Sequence, residues 1–188
     1  VPNRSEIIKK LKETLDPERF EHSLRVEGIA LALGKKWGAD KKKIIPAALL
    51  HDCARRFNRK ELLREASKLG LTIDPVRKFE PKLFHAEISA ILAGREFGIK
   101  SADILRAIRL HTVGSDKMSK LDKIVYLADH IEEGRDFAGV QKVRNLAFKD
   151  LNKAIFESTT NMLEYLLEKK LPIYPGTVET RNSLLIKL

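Results

Sequence analysis

Lys41-Lys42-Lys43-Ile44-Ile45-Pro46-Ala47-Ala48-Leu49-Leu50-His51-Asp52 begins just behind Asp40, turns apolar through residues 44–50 and ends on an imidazole and a carboxylate. Aspartate is a favoured N-cap, because its side chain satisfies an unbonded N–H of the first helical turn. The stretch therefore predicts a third helix, largely apolar, that delivers His51 and Asp52 near its C-terminal end. Similar side chains recur on either side of it. His22 lies 29 residues earlier, and His85, His111 and Asp129 follow at further gaps of 34, 26 and 18 residues. Each gap suits one helix and its connection. Each ligand-type side chain can thus arrive on a different helix and converge on one site.

Working outward, nearly every segment has a helical period, and no alternating run is flanked by turn signals as a strand would be. Residues 5–15 read as a helix capped by Ser5, with Ile7, Ile8, Leu11 and Leu15 on one face. Asp16-Pro17 opens the next, as cap and first-turn proline, and it runs to about Trp37 before Gly38. On it His22, Val26, Ile29, Ala30 and Leu33 share one stripe at spacings of three or four, which turns His22 inward. Further helices are predicted at 59–69, 84–97, 101–111, 119–132 and 140–168, the last as one helix or two. Residues 71–82, with two prolines, read as a loop, a candidate lid over the site. The segment 172–176 reads as irregular, and 183–188 as a short apolar end that must pack somewhere. No repeat, low-complexity tract or linker interrupts the chain, so the expectation is one all-α domain over residues 1–188.

Composition narrows the function classes. At 188 residues the chain suits one domain, given roughly 100–200 residues per domain. A single cysteine, Cys53, excludes an internal disulfide and gives no sign of an oxidising compartment. Residues 1–15 carry charges every few positions and lack a signal-peptide core. No run approaches the roughly 20 apolar residues of a membrane span, and the expectation is a cytoplasmic protein without membrane contact. The formal charge is +10 with pI near 9.7, yet aromatics make up only 6% and do not interleave with the basic clusters. A single-stranded nucleic acid platform needs that interleaving, so nucleic acid is disfavoured. The positive balance reads as a field that draws anionic small molecules into a cleft.

Imidazole and carboxylate suit divalent transition metals such as iron, manganese, cobalt and zinc. Taken singly, each histidine reads more readily as a satisfied core residue than as a ligand; the ordered series is what points to metal. Four imidazoles and two carboxylates are too many for one tetrahedral centre and about right for two metals sharing Asp52. Two metals about 3.5–4 Å apart form a template for in-line attack of activated water on phosphorus. His130 adjoins Asp129, and neighbours on a helix point about 100° apart, so His130 is assigned to the substrate pocket rather than to the ligand set. Arg135, following Gly134 at the end of the helix that bears Asp129, is the phosphate-clamp candidate. A helix dipole alone would also favour arginine there. Thr112 and Gly114 follow His111 in a loop with donors for phosphate oxygens. Cys53 reads as a buried small apolar residue rather than a nucleophile.

The order His22, His51-Asp52, Asp129 resembles the signature of the HD-domain phosphohydrolase superfamily, and His85 and His111 look like the extra histidines of its dinuclear branch. The local words His22-Ser23-Leu24-Arg25-Val26, His111-Thr112-Val113-Gly114, Tyr126-Leu127-Ala128-Asp129, Ile131-Glu132-Glu133-Gly134-Arg135-Asp136-Phe137 and Thr177-Val178-Glu179-Thr180-Arg181-Asn182 are similar to the bacterial YqeK-type group. Those proteins are symmetrical diadenosine tetraphosphate hydrolases. The resemblance implies an HD-type helical bundle and cleavage of a dinucleoside polyphosphate to two ADP by two divalent metal ions, iron first, with manganese or cobalt as substitutes. One metal would take His22, His51, Asp52 and Asp129, and the other Asp52, His85 and His111. Asp52 and Arg135 are then the catalytic pair, with Arg55, Arg181 and Asn182 facing substrate. Two positions depart from the family pattern: Arg55 stands where a lysine is usual, and Glu133 where a proline is common. Arginine keeps the charge and gains a bidentate fork, but it does not donate a proton at neutral pH. The alternatives are another nucleotide phosphohydrolase, such as a nucleoside 5′-monophosphatase, or a non-catalytic nucleotide-binding helical protein with a structural metal. A structural site is saturated by protein ligands, and six donors do not saturate two octahedral ions. Assembly as a homodimer is left open.

Overall fold

The computed structural model describes residues 3–187; positions 1, 2 and 188, which the readings of the two chain ends include, lie outside the described residues. Asn3 rather than Ser5 opens α1 (Arg4–Thr14). Its side chain accepts from Glu6 N–H, and Glu6 accepts from Asn3 N–H in return, pairing two donors that a helix start leaves free. Ser5 is inside the helix and donates its hydroxyl to Asn3 Oδ1. Asp16 caps α2 (Pro17–Trp37), and Gly38, with φ of 63°, stops it. Asp40 caps α3 (Lys41–Leu50), which contains Pro46. An internal proline removes a helical hydrogen bond. Tertiary burial offsets that loss, since Ile44 and residues 47–50 are at most 1% exposed.

A 3-10 turn (Cys53–Arg56) and α4 (Arg59–Lys68) follow. Residues 71–82 are not the predicted loop. They contain α5 (Pro75–Phe79), capped by Asp74, and the start of a second 3-10 turn (Pro81–Phe84). Both prolines occupy first-turn positions, where a missing N–H costs nothing, so here they start helices rather than break one. Arg77 joins α5 to α6 through Glu87 at 3.0 Å, and none of these residues lines the cleft beside His85 and Asp129. The lid expectation fails.

α6 (His85–Phe97), α7 (Ala102–Leu110) and α8 (Lys120–Ile131) come next. The stretch 140–168 divides into α9 (Val140–Ala147) and α10 (Leu151–Glu168), with Asp150 capping the second through the N–H groups of Asn152 and Lys153. α11 (Pro175–Leu185) closes the described chain. Its apolar end does not pack as a unit: Leu184 is buried, but Leu185 is 49% and Ile186 86% exposed. Among the described residues there is no strand, and no helix is long and apolar enough to cross a membrane.

α3 lies at the centre, against α2, α7 and α8. Small side chains let these helices come close. A Cβ at Gly34 would fall 2.1 Å from Ile44 Cδ1, so any larger residue would force the Ile44 side chain to shift where α2 crosses α3. The main core runs from Ile7 and Leu11 through Leu49 and Leu50 to Ile124 and Ile155. Truncating one such leucine to alanine typically costs about 2–5 kcal/mol. A smaller cluster around Leu62, Phe84 and Ile88 seats α4. The ends of α3, α6, α7 and α8 meet beside the middle of the first half of α2, and that junction is polar.

Candidate metal centre

His22 faces inward from α2 beside Val26 and Ala30. His51 directly follows α3, Asp52 opens the 3-10 turn, His85 starts α6, His111 follows α7 and Asp129 sits in the last turn of α8. All six are buried, between 0% and 9% exposed. The predicted convergence from separate helices is the observed arrangement.

Three of the imidazoles are held in the same way. The Nδ1–H of His51 donates to Ala48 O at 2.6 Å, that of His111 to Ile108 O at 2.7 Å, and that of His85 to Lys82 O, in each case three residues back. His22 is mid-helix, where carbonyls already have helical partners, and its Nδ1 meets Glu132 Oε1 at 3.2 Å. Engaging Nδ1 as donor leaves the lone pair on Nε2. The four Nε2 atoms converge in pairs, His22 with His51 at 3.2 Å and His85 with His111 at 3.0 Å. Two acceptors at such distances repel one another unless a cation lies against both. The donor set therefore fits divalent metal.

The carboxylates complete two half-sites. Asp52 Oδ2 lies 3.8 Å from the Nε2 atoms of both His22 and His51, while Oδ1 lies 3.2 Å from His85 and 3.6 Å from His111. Asp129 Oδ1 is 3.1 Å from His22 Nε2 and 3.8 Å from His51 Nε2. The ligand atoms of His22, His51 and Asp129 form one group within 4.8 Å of each other, and those of His51, Asp52 and His111 another.

Electrostatics favour the ligand forms of His51, Asp52 and Asp129. Burial pushes His51 down to about 4, so it is neutral at pH 7. Burial opposes charge on Asp52 and Asp129, but the surrounding imidazoles, joined at Asp129 by Arg135, hold both well below the usual carboxylate range. Burial opposes charge on His111, but its hydrogen bond to Asp52 and the charges of Asp129 and Asp52 together move it upward. Cys53 is pushed up to about 12 by burial, which makes it inert as a nucleophile at neutral pH.

A cleft of about 260 Å³ opens onto the centre. Three arginines line it. Arg19 Nη1 is 3.5 Å from Asp52 Oδ2. Arg135 donates from Nη2 to Asp129 Oδ1 at 2.5 Å and from Nε to Asp129 O at 2.8 Å. Arg55 is half-buried with no side-chain hydrogen bond or ion pair among the described residues, and desolvation lowers its pKa first of all, with Arg19 and Arg135 adding to that. Thr112 Oγ1 lies 3.1 Å from the Nε2 atoms of both His85 and His111. His130 lines the cleft, stacked on Tyr126 with ring centroids 4.2 Å apart and with its Nδ1–H on Tyr126 O.

Three predicted substrate residues stand elsewhere. Gly114 has φ of 72°, and a Cβ there would fall 2.6 Å from Thr180 Cγ2; its glycine serves the approach of α11, not a phosphate. Arg181 donates to Thr160 Oγ1 at 3.2 Å and lies over the Phe156 ring, and Asn182 is exposed. Neither lines the cleft. Conversely, sequence reasoning left out Arg19 and Glu132. Each was within reach of a helix-face argument, because Arg19 is three residues before His22 and Glu132 three after Asp129.

An all-α bundle with a buried centre of four imidazoles and two carboxylates defines the class: residues 19–134, which span all six residues, match the HD domain model, and the chain belongs to the HD-domain family. Within it, the chain is 40% identical over 98% of both chains to the Halalkalibacterium halodurans protein named "Bis(5'-nucleosyl)-tetraphosphatase, symmetrical". It is 39% identical over 97% of both chains to a Bacillus subtilis protein of the same name. A crystal structure from Clostridium acetobutylicum, described as a predicted HD superfamily hydrolase involved in NAD metabolism, superposes with a TM-score of 0.95 at 34% identity over the whole of both chains.

Proposed function

We propose that this protein is a metal-dependent phosphohydrolase that cuts diadenosine tetraphosphate at its central anhydride and releases two ADP. The observation that carries the chemistry is Asp52, whose two oxygens face different histidine pairs. Such a carboxylate would offer one oxygen to each of two ions. The names of the near-full-length relatives support the substrate.

His22, His51, Asp129 and Asp52 Oδ2 would hold one ion, and Asp52 Oδ1, His85 and His111 the other. Mixed imidazole and carboxylate donors suit iron, our first choice, and admit manganese or cobalt. Bound there, a metal pair supplies Lewis-acid charge and an activated water at neutral pH. The chain's own residues do the rest. Arg19 and Arg55 set positive charge where phosphoryl oxygens gain negative charge, already oriented before reaction. Arg55 cannot release a proton at neutral pH, so it stabilises the departing phosphate rather than protonating it. Arg135 holds Asp129 in place and forms the edge of the same cationic wall. Thr112 offers a hydroxyl beside His85 and His111. A cytoplasmic setting, which the lone buried thiol of Cys53 suits, is part of the proposal.

Metal analysis together with a turnover screen across dinucleoside polyphosphates and mononucleotides tests it. Two equivalents of metal and selective turnover of dinucleoside tetraphosphates are expected. One tightly held ion with no turnover would favour a structural metal, and phosphate released from AMP would favour a monophosphatase.

A further inference from the structure

Beside the cationic cleft lies a second cavity of about 350 Å³, and His130, Phe137 and Met162 line both. The two differ in character. Arg19, Arg55 and Arg135 line the first, whereas the second has no lysine or arginine in its wall and carries Glu164 and Glu168. Apart from Ala138, its remaining wall belongs to α10, with Ser158, Asn161, Met162 and Tyr165 on one face at helical offsets of three, four and seven from the first. The cavity thus joins an apolar wall of Phe137, Met162 and Tyr165 to a single carboxamide. Among the described residues, Asn161 Nδ2 is buried without a hydrogen-bond partner.

We infer that this second cavity is a purine-base subsite, with Tyr165 as its stacking face and Asn161 reading the base edge. The inference rests on the nucleotide reading of the metal cleft and names where one nucleoside of that substrate goes. Electrostatics orient the ligand. Phosphates are drawn to the arginines and repelled by Glu164 and Glu168, so the uncharged base takes the acid-rimmed side. Size agrees, because ligand pockets span roughly 300–1,000 Å³. The other cavity adjoining the cleft, through Thr112, holds only about 110 Å³ and is too small for a nucleoside. An amide carries both donor and acceptor, and asparagine can pair bidentately with the adenine N6–N7 edge. Tyr165 is 50% exposed, so its replacement leaves the core intact.

The test is calorimetric titration of the metal-loaded protein with ADP and with methylenediphosphonate, a non-hydrolysable diphosphate that has no base. Tyr165→Ala should weaken ADP by roughly 5- to 150-fold, the range for loss of one base–aromatic stack, and Asn161→Ala should weaken it as well. Neither should change methylenediphosphonate binding, and Tyr165→Phe should retain ADP affinity. Unchanged ADP affinity in both alanine variants overturns the subsite. So does an equal loss for both ligands, which would mean that the effect passes through the metal cleft. Turnover of diadenosine tetraphosphate by the wild type judges the underlying reading separately, since ADP binding reports on the subsite whether or not that substrate is cut.

Discussion

Glu132 Oε1 lies 3.2 Å from His22 Nδ1, across 110 residues of chain. The same carboxylate accepts from Arg25 Nε at 2.5 Å and from Gly134 N–H at 2.6 Å, and it is 2% exposed. Burial opposes its charge, but the Arg25 bond and its other partners hold it below the usual glutamate range. It does for His22 what a backbone carbonyl does for the other three imidazoles. Carboxylate partners of metal-binding histidines typically contribute 10–100-fold in metal affinity or activity. Glu132→Ala should therefore weaken metal binding by about that factor, read by competition with a chelator. Undiminished affinity would mean that α2 alone orients His22.

Asp52 is the residue both half-sites share. Asp52→Ala should abolish turnover and lower bound metal, because each site loses a donor. Metal content and rate are measured on one preparation. Full occupancy at wild-type rate would end the two-metal account.

His85 and His111 belong to one half-site only. Alanine at either should leave the ion held by His22, His51 and Asp129 while removing most of the activity. Two equivalents of metal and near-normal turnover in both variants would make the two histidines structural.

The arginines separate by what they touch. Arg55 touches no metal ligand through its side chain, so Arg55→Ala should lower kcat/KM roughly 10–150-fold, the equivalent of one charge-assisted contact, with metal content unchanged. Arg135 bonds to Asp129, so Arg135→Ala should lower both activity and metal affinity. If Arg55→Ala lost metal as well, its role would be structural support rather than phosphate binding.

The 3-10 turn that carries Asp52 is tied to α6, which carries His85, by Arg56 and Glu96 at 2.5 and 3.1 Å. The hydrogen bond from Arg56 is the main cause of a lowered Glu96 pKa. A depressed folded-state carboxyl stabilises fully above its unfolded value, near 4.5, and that contribution is lost as pH falls through the folded value. Glu96→Gln should cost about 0.5–1 kcal/mol at pH 7, and the difference from wild type should shrink below pH 4.5. Melting midpoints followed from pH 7 to pH 3 decide it, and parallel curves would contradict the assignment.

The ligand series was legible because its determinants are local. Asp16, Asp40 and Ser119 mark helix starts, spacings of three and four turn His22 inward, and each interval fits one helix. What stayed hidden depends on tertiary context. Pro75 and Pro81 look like breakers until their first-turn positions are known. Arg181 and Asn182 belong to a recognisable word, but a word does not say which way α11 faces. The pairing of Nε2 atoms, and the role of Glu132 in fixing one of them, follows from helices distant in sequence.

Product chromatography of diadenosine tetraphosphate incubated with the metal-loaded protein bears most directly on the central claim. Cleavage at the central anhydride, steered by Asp52 and the arginine wall, gives ADP as the sole nucleotide product. ATP and AMP in equal amounts would contradict it, because attack would then fall one phosphate away from the position assigned here.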